Sequence, residues 1–176
     1  SFGLDLRVEA GQVQSRGNRF QIPGDSGTEL HMPAKSAFYY RFEGHHEIGE
    51  NGLLRWVYAP FTIKYDSIAS EATKFNNTDF NAGDALRTKY KFNSYRLGYL
   101  YRLPLFEKFK FWAGLTLKVR DAMIEVSGPT AKDSSANVGV VPLLSFKSQW
   151  DLTSALRLDA QLDGAAAPQG RAFDGA

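Results

Sequence analysis

Residues 89–126, KYKFNSYRLGYLYRLPLFEKFKFWAGLTLKVRDAMIEV, constrain the fold more than any other stretch of this chain. In the second half Phe109, Phe111, Ala113, Leu115, Leu117 and Val119 alternate with Lys110, Trp112, Gly114, Thr116, Lys118 and Arg120. Period two puts successive side chains on opposite faces of a strand, one apolar and one polar. The first half alternates as well, with Tyr95, Leu97, Tyr99, Tyr101 and Leu103 against Ser94, Arg96, Gly98 and Arg102. Leu-Pro-Leu-Phe-Glu-Lys joins the limbs as a tight turn at residues 103–108. Each limb runs to about fifteen residues, whereas globular strands usually have about five or six. Long neighbouring strands with one apolar face, one basic face and aromatic ends predict a hairpin long enough to cross a bilayer.

The same alternation recurs along the chain. Phe2, Leu4, Leu6, Val8 and Ala10 share a face opposite Asp5, Arg7 and Glu9. A second strand carries Leu30 and Met32, interrupted at Pro33, and then Phe38, Tyr40 and Phe42. A third covers residues 53–65, a fourth 86–103, a fifth 109–126, a sixth 138–149 and a seventh Leu156 to Asp163, and an eighth begins at Arg171. The apolar phase flips at Ala59-Pro60, which reads as a β-bulge, and again at Asn93-Ser94 and near Asp121. The connections at 14–28, 66–84 and 127–137 are long and rich in turn residues, and those at 45–52, 104–108 and 150–154 are short. Phe75 and Phe80 predict that the longest connection packs on itself. Alternating long and short connections are the habit of outer-membrane barrels, and they place the long set together on one, extracellular, side.

Composition narrows the class. The 176 residues fit one domain, 1–176, and 43% are hydrophobic, enough for a folded chain. Mean hydropathy is −0.33, which a barrel tolerates because polar lumen and loop residues offset an apolar outer face. A net charge of +2 gives no reason to expect nucleic acid. Cysteine is absent, so neither disulfides nor thiolate chemistry are expected. Ser1 leads straight into a strand, as in a processed, exported chain.

Taken together, PGDSGT at 23–28, YKFNSYRLGYLYR at 90–102, KVRDAMI at 118–124, VPLL at 141–144 and APQGRAFD at 167–174 resemble a family of uncharacterised proteobacterial outer-membrane barrels. The resemblance implies an all-β fold, an antiparallel transmembrane β-barrel of up-and-down meander topology. It would have eight strands, or ten in the intact protein, and a porin-like place in the Gram-negative outer membrane. Membrane lipid and lipopolysaccharide are the implied partners. The family brings no activity and no site residues. Such barrels end in an aromatic residue, whereas this chain ends Phe173-Asp174-Gly175-Ala176, so a closing strand is expected to be missing.

No catalytic, metal or cofactor motif is found, and no enzyme is expected. His45-His46-Glu47 reads as an exposed polar turn, since adjacent strand residues face opposite ways. His31 has Ser26, Asp25 and Ser36 nearby, but nothing orders them into a Ser-His-acid site. The best constellation is the set of inward charges: Asp5, Arg7, Glu9, Arg41, Glu43, Arg96, Lys118, Arg120, Arg157, Asp159 and Asp163. Both signs occur, as a narrow lumen packed with ion pairs requires. Arg41, Arg96 and Arg120 are expected to be held by carboxylates, among them Glu9, Glu43 and Asp159. A small pore or anion site is the functional reading of the same residues. The alternative fold is a soluble, lipocalin-like barrel with an apolar interior for a small apolar ligand and its polar face outside.

Overall fold

The computed structural model describes residues 3–105, 109–167 and 170–175, with side-chain surroundings up to residue 165. Phe2, the tip of the 104–108 turn and Ala176 lie outside the described residues. Thirteen strands and no helix occur among those described. The main strands are β1 (Leu4–Ser15), β4 (Lys35–Ile48), β5 (Gly52–Ala59), β6 (Thr62–Ile68), β9 (Ala85–Leu103), β10 (Lys110–Ser127), β11 (Lys132–Asp151), β12 (Arg157–Ala167) and β13 (Gly170–Gly175). They form one antiparallel sheet in the order β1, β4, β5, β9, β10, β11, β12, β13, with β6 also on β9, and the sheet curls into a half-barrel. Two small hairpins stand apart from it: β2 (Asn18–Phe20) with β3 (Leu30–Met32), and β7 (Thr73–Phe75) with β8 (Thr78–Phe80).

Hydrophobic side chains lie on the convex face. Leu6, Val8, Phe38, Leu97, Leu115, Val140 and Leu158 are all exposed there. The concave face buries Glu43, His45, Arg55, Ser145, Lys147 and Asp163. The alternation that fixed this arrangement is the period of the strand itself. Aromatic residues continue the outer surface from strand to strand, with Phe42 stacked on Tyr58 at 6.2 Å and Tyr58 on Tyr95 at 5.2 Å.

The three phase flips are not bulges. Asp121 pairs Asn93 in a register that runs unbroken from Phe111 opposite Leu103 to Ser127 opposite Arg87. Tyr58 opposite Tyr95 and Thr62 opposite Lys91 keep one register across Pro60 as well. Pro60 splits one long strand into β5 and β6 because it has no N–H to give the ladder. Phe61 bridges the gap, its carbonyl accepting from the Phe92 amide at 2.8 Å and its amide donating to Asn93 Oδ1 at 3.3 Å. What changes at this level is the chemistry of each face. Above it Lys64, Arg87 and Lys89 point outward while Ile63, Tyr65, Leu86 and Val126 point inward and are buried.

Those inward apolar residues are covered by the two hairpins. Phe75 and Phe80 pack with Ala69, Leu86 and Val126, and Phe20 joins them with its ring edge-on to Phe75 at 6.0 Å. Met32, Ile63 and Tyr65 form a neighbouring cluster. Leu30 and Met32 therefore belong to the cap and not to the second long strand, which starts at Lys35. The hairpins are tied together by Thr28 N to the Lys74 carbonyl and by Asn76 N to the Ile22 carbonyl, each 2.9 Å. Asp133 on β11 fixes them to the sheet. It accepts from Asn76 Nδ2 (3.1 Å), Asn77 N (3.0 Å) and Thr78 Oγ1 (3.1 Å) at a turn where Asn76 takes a φ of 53°. Asn is among the residues that tolerate that left-handed conformation. The long connections thus gather at one end of the sheet.

Candidate functional site: the charged concave face

Arg55 is the centre of the concave face and only 1% exposed. It follows from the phase of β5: Leu54, Trp56 and Tyr58 point outward, so Leu53, Arg55 and Val57 point in. Its Nε donates to Glu43 Oε1 at 2.9 Å, and its Nη1 donates to both oxygens of Asp163 at 3.0 and 2.8 Å. Asp163 sits across the curl on β12 and also receives Arg96 Nη1 at 2.8 Å and Ser145 Oγ at 2.8 Å. Ser145 in turn meets Thr116 Oγ1 at 2.6 Å. Glu43 receives Arg41 Nη2 at 3.0 Å. With its amide turned so that nitrogen donates to Glu43 at 3.1 Å, the Gln161 oxygen faces the Arg55 guanidinium. Three guanidiniums and two carboxylates from four strands thus share one cluster.

Such a cluster holds the sheet in its curl. Burying a charge is tolerated only with partners that satisfy its hydrogen bonds, and the planar fork of Arg matches a carboxylate edge. Small inward residues leave room for it. A Cβ on Gly98 would come within 2.2 Å of Thr116 Oγ1. The cluster's hydrogen bonds tie β4, β5, β9, β11 and β12 to one another across the curl.

The charges expected to face inward divide into three groups. Arg41, Glu43, Arg96 and Asp163 join the central cluster. Arg7 lies nearer the open edge, 3.3 Å from both Asp5 and Asp159, and Asp159 also accepts from Gln149 at 3.2 Å. Glu9 accepts from Tyr39 Oη at 2.5 Å and not from an arginine. The remainder stand apart. Arg120 donates to Asn137 Oδ1 at 3.3 Å, against the expectation of a carboxylate. Arg157 pairs with Asp151 at 2.8 Å on the exposed rim. Lys118 takes the next inward position after Thr116 on β10 and is half-buried. Arg96 is held by the Asp163 carboxylate.

Two residues change meaning. Arg55 was absent from the expected set although its neighbours' phase pointed to it. His45 is no exposed turn residue: β4 continues to Ile48, and the ring is 3% exposed on the concave face. Its Nε2 lies 3.2 Å from Glu43 Oε1 but out of line for a hydrogen bond, and its Nδ1 has no partner. His31, by contrast, is exposed in the cap beside Glu29 at 3.2 Å. Comparison with protein-family models and with curated protein sequences finds no match for the chain.

Proposed function

We propose that this chain is a transmembrane β-barrel of the Gram-negative outer membrane with a structural role, its lumen filled by ion pairs and carrying no catalysis. The observation that carries the reading is the inversion of its two faces, with leucine, valine and aromatic side chains outside and Arg55, Glu43 and Asp163 buried inside. A protein surrounded by water gains by the opposite arrangement. The outer apolar run from Tyr95 to Leu103 is roughly 27 Å long at about 3.4 Å per residue, against an apolar band about 25 Å tall in outer-membrane barrels.

Hydrocarbon offers no hydrogen bonds to a strand edge, so a sheet there must close. The eight positions from β1 to β13 then complete a small barrel, or ten with further strands, as an up-and-down meander. Its outer belt meets lipid and lipopolysaccharide. The capped end with its long connections faces outward from the cell, and the short turns face the periplasm. The multiply bonded Arg55 favours a plugged lumen over a pore.

Phase partitioning tests the reading. In a detergent that separates on warming, the folded chain is expected in the detergent-rich phase. A monodisperse, folded monomer that stays in detergent-free buffer would overturn it and return the soluble, lipocalin-like alternative.

A further inference from the structure

A cavity of about 230 Å³ lies at the short-turn end of the concave face, between the first residues of β1 and β10 and the last residues of β4 and β11. It is outside the Arg55 cluster, and its walls include Lys147, His45, Trp112, Leu53, Lys110 and Asp5. Three features of these walls belong together.

Lys147 is 7% exposed and, among the described residues, makes no ion pair with a carboxylate, the nearest acidic influences being Asp159, Asp5 and Glu43 at longer range. The Trp112 ring lies beside it, with its centroid 5.9 Å from Nζ. Buried ammonium groups ordinarily have a counter-charge. His45 presents a second buried polar group whose Nδ1 lacks a partner, and buried polar atoms nearly always have one. Trp112 and Leu53, both buried, form an apolar wall beside the two.

A cation, an unsatisfied imidazole and an apolar wall around one space describe the complement of an organic anion. Asp5, already paired with Arg7, and Glu47 also line the space. With Lys110, Arg157 and Lys147 in the same lining, the wall carries one net positive charge, which suits a ligand with a single negative one. The volume equals that of about eight waters at about 30 Å³ each, enough for a single-ring acid. We propose that the cavity binds a small monocarboxylate. Its carboxylate lies between the Lys147 ammonium and the His45 ring, and its apolar body rests on Trp112 and Leu53. The proposal goes beyond the structural role above and does not depend on it, because the cavity belongs to the concave face whatever covers the convex one.

Benzoate is the probe, added to the folded full chain in detergent micelles and followed through the three indole N–H resonances by NMR. The Trp112 signal is expected to move saturably, with Trp56 and Trp150 unmoved. Lys147→Met is expected to weaken binding at least tenfold, Lys147→Arg to retain it, and Arg120→Met, outside the cavity, to leave it unchanged. If Lys147→Met does not fold, His45→Phe on the Lys147 background takes its place with the same expected loss. No saturable shift at tens of millimolar benzoate would overturn the proposal, as would equal binding by the Lys147→Met protein. Inorganic phosphate run in parallel should bind more weakly, and tighter binding of phosphate than of benzoate would overturn the carboxylate assignment.

Discussion

The two ends of the concave face are built on the same strands and held by opposite chemistry. Toward the short turns β5, β9 and β12 bury Arg55, Arg96 and Asp163. Toward the long connections the same β9, with β10, buries Leu86 and Val126 under Phe75 and Phe80, and β6 buries Ile63 beside Met32. The polar half is directional: each guanidinium is useful only where a carboxylate meets it. The apolar half is non-directional and needs only a cover, which two short hairpins provide. Under the membrane reading the difference has one cause. Where lipid covers the outside, the apolar residues are spent there and the interior holds charge. Where water covers the outside, the interior takes the usual apolar core.

The largest effect is expected inside the polar half. Arg55→Met leaves Glu43 and Asp163 buried with their main partner gone. A broken buried pair costs about 3–5 kcal/mol, to be read from urea unfolding in lipid or detergent. The triple change Arg55→Met, Glu43→Gln and Asp163→Asn should recover much of the loss, since it leaves no stranded charge. A cost under about 1 kcal/mol for Arg55→Met, as for water-screened pairs, would mean a wet lumen and turn the plug into a small pore. Single-channel recording would then show it.

The next effect concerns the outer face. Leu115→Arg is expected to cost about 2–4 kcal/mol in a bilayer, the penalty for Arg near the midplane of a barrel's lipid face. If that face meets water, the same change should stay within about 0.5 kcal/mol. Thr62→Arg, above the level of Pro60, should cost little in either case, so the pair locates the boundary between the two halves.

The smallest effect concerns how the cap is anchored. The side-chain amide of Asn76 and the backbone amide of Asn77 hold the Asp133 carboxyl below its ordinary value of 3.8. Because the folded value is depressed, the contribution is complete above the unfolded value and is lost as pH falls through the folded one. Protection of the Asn77 and Ser134 amides from hydrogen exchange, relative to their intrinsic rates, should therefore hold down to about the ordinary value of 3.8 and fall at lower pH, with the central cluster unmoved. Asp133→Asn should show quick exchange there at neutral pH. Slow exchange in that variant would shift the anchoring to the Phe75 and Phe80 packing alone.

Much of this organisation was legible in the chain. Alternation in β1 and in the halves of β9 and β10 nearest their shared turn gave the strands and their faces, and the aromatic pair in the longest connection announced the packed cap. The flips at Pro60, Asn93 and Asp121 were legible too, but their meaning was not. One strand read alone cannot distinguish a change of phase from a change of surroundings, and only the cross-strand register puts all three at one height. Arg55 was hidden by its company, since attention to Leu54, Trp56 and Tyr58 passed over the residue between them. His45 was hidden by the Gly49 and Gly52 that follow it, which made the whole segment look like turn. Asp163 was read as inward, but its role in joining β5 to β9 depends on how far the sheet curls, which no local pattern records.

The unbroken register of β9 against β10 has a consequence for how such a chain can change over time. Odd and even positions mean different things on either side of Asn93, yet a single count runs through both. Loss of one residue between Asn93 and Gly98 would leave the strand below in order and exchange every assignment above it. Lys89 and Lys91 would turn into the cap, and Tyr90 and Phe92 would turn out of it. Loss of two would only lower the cap by a rung. Length variation within these strands is thus confined to even steps, while the connections that form the cap are free to take any number.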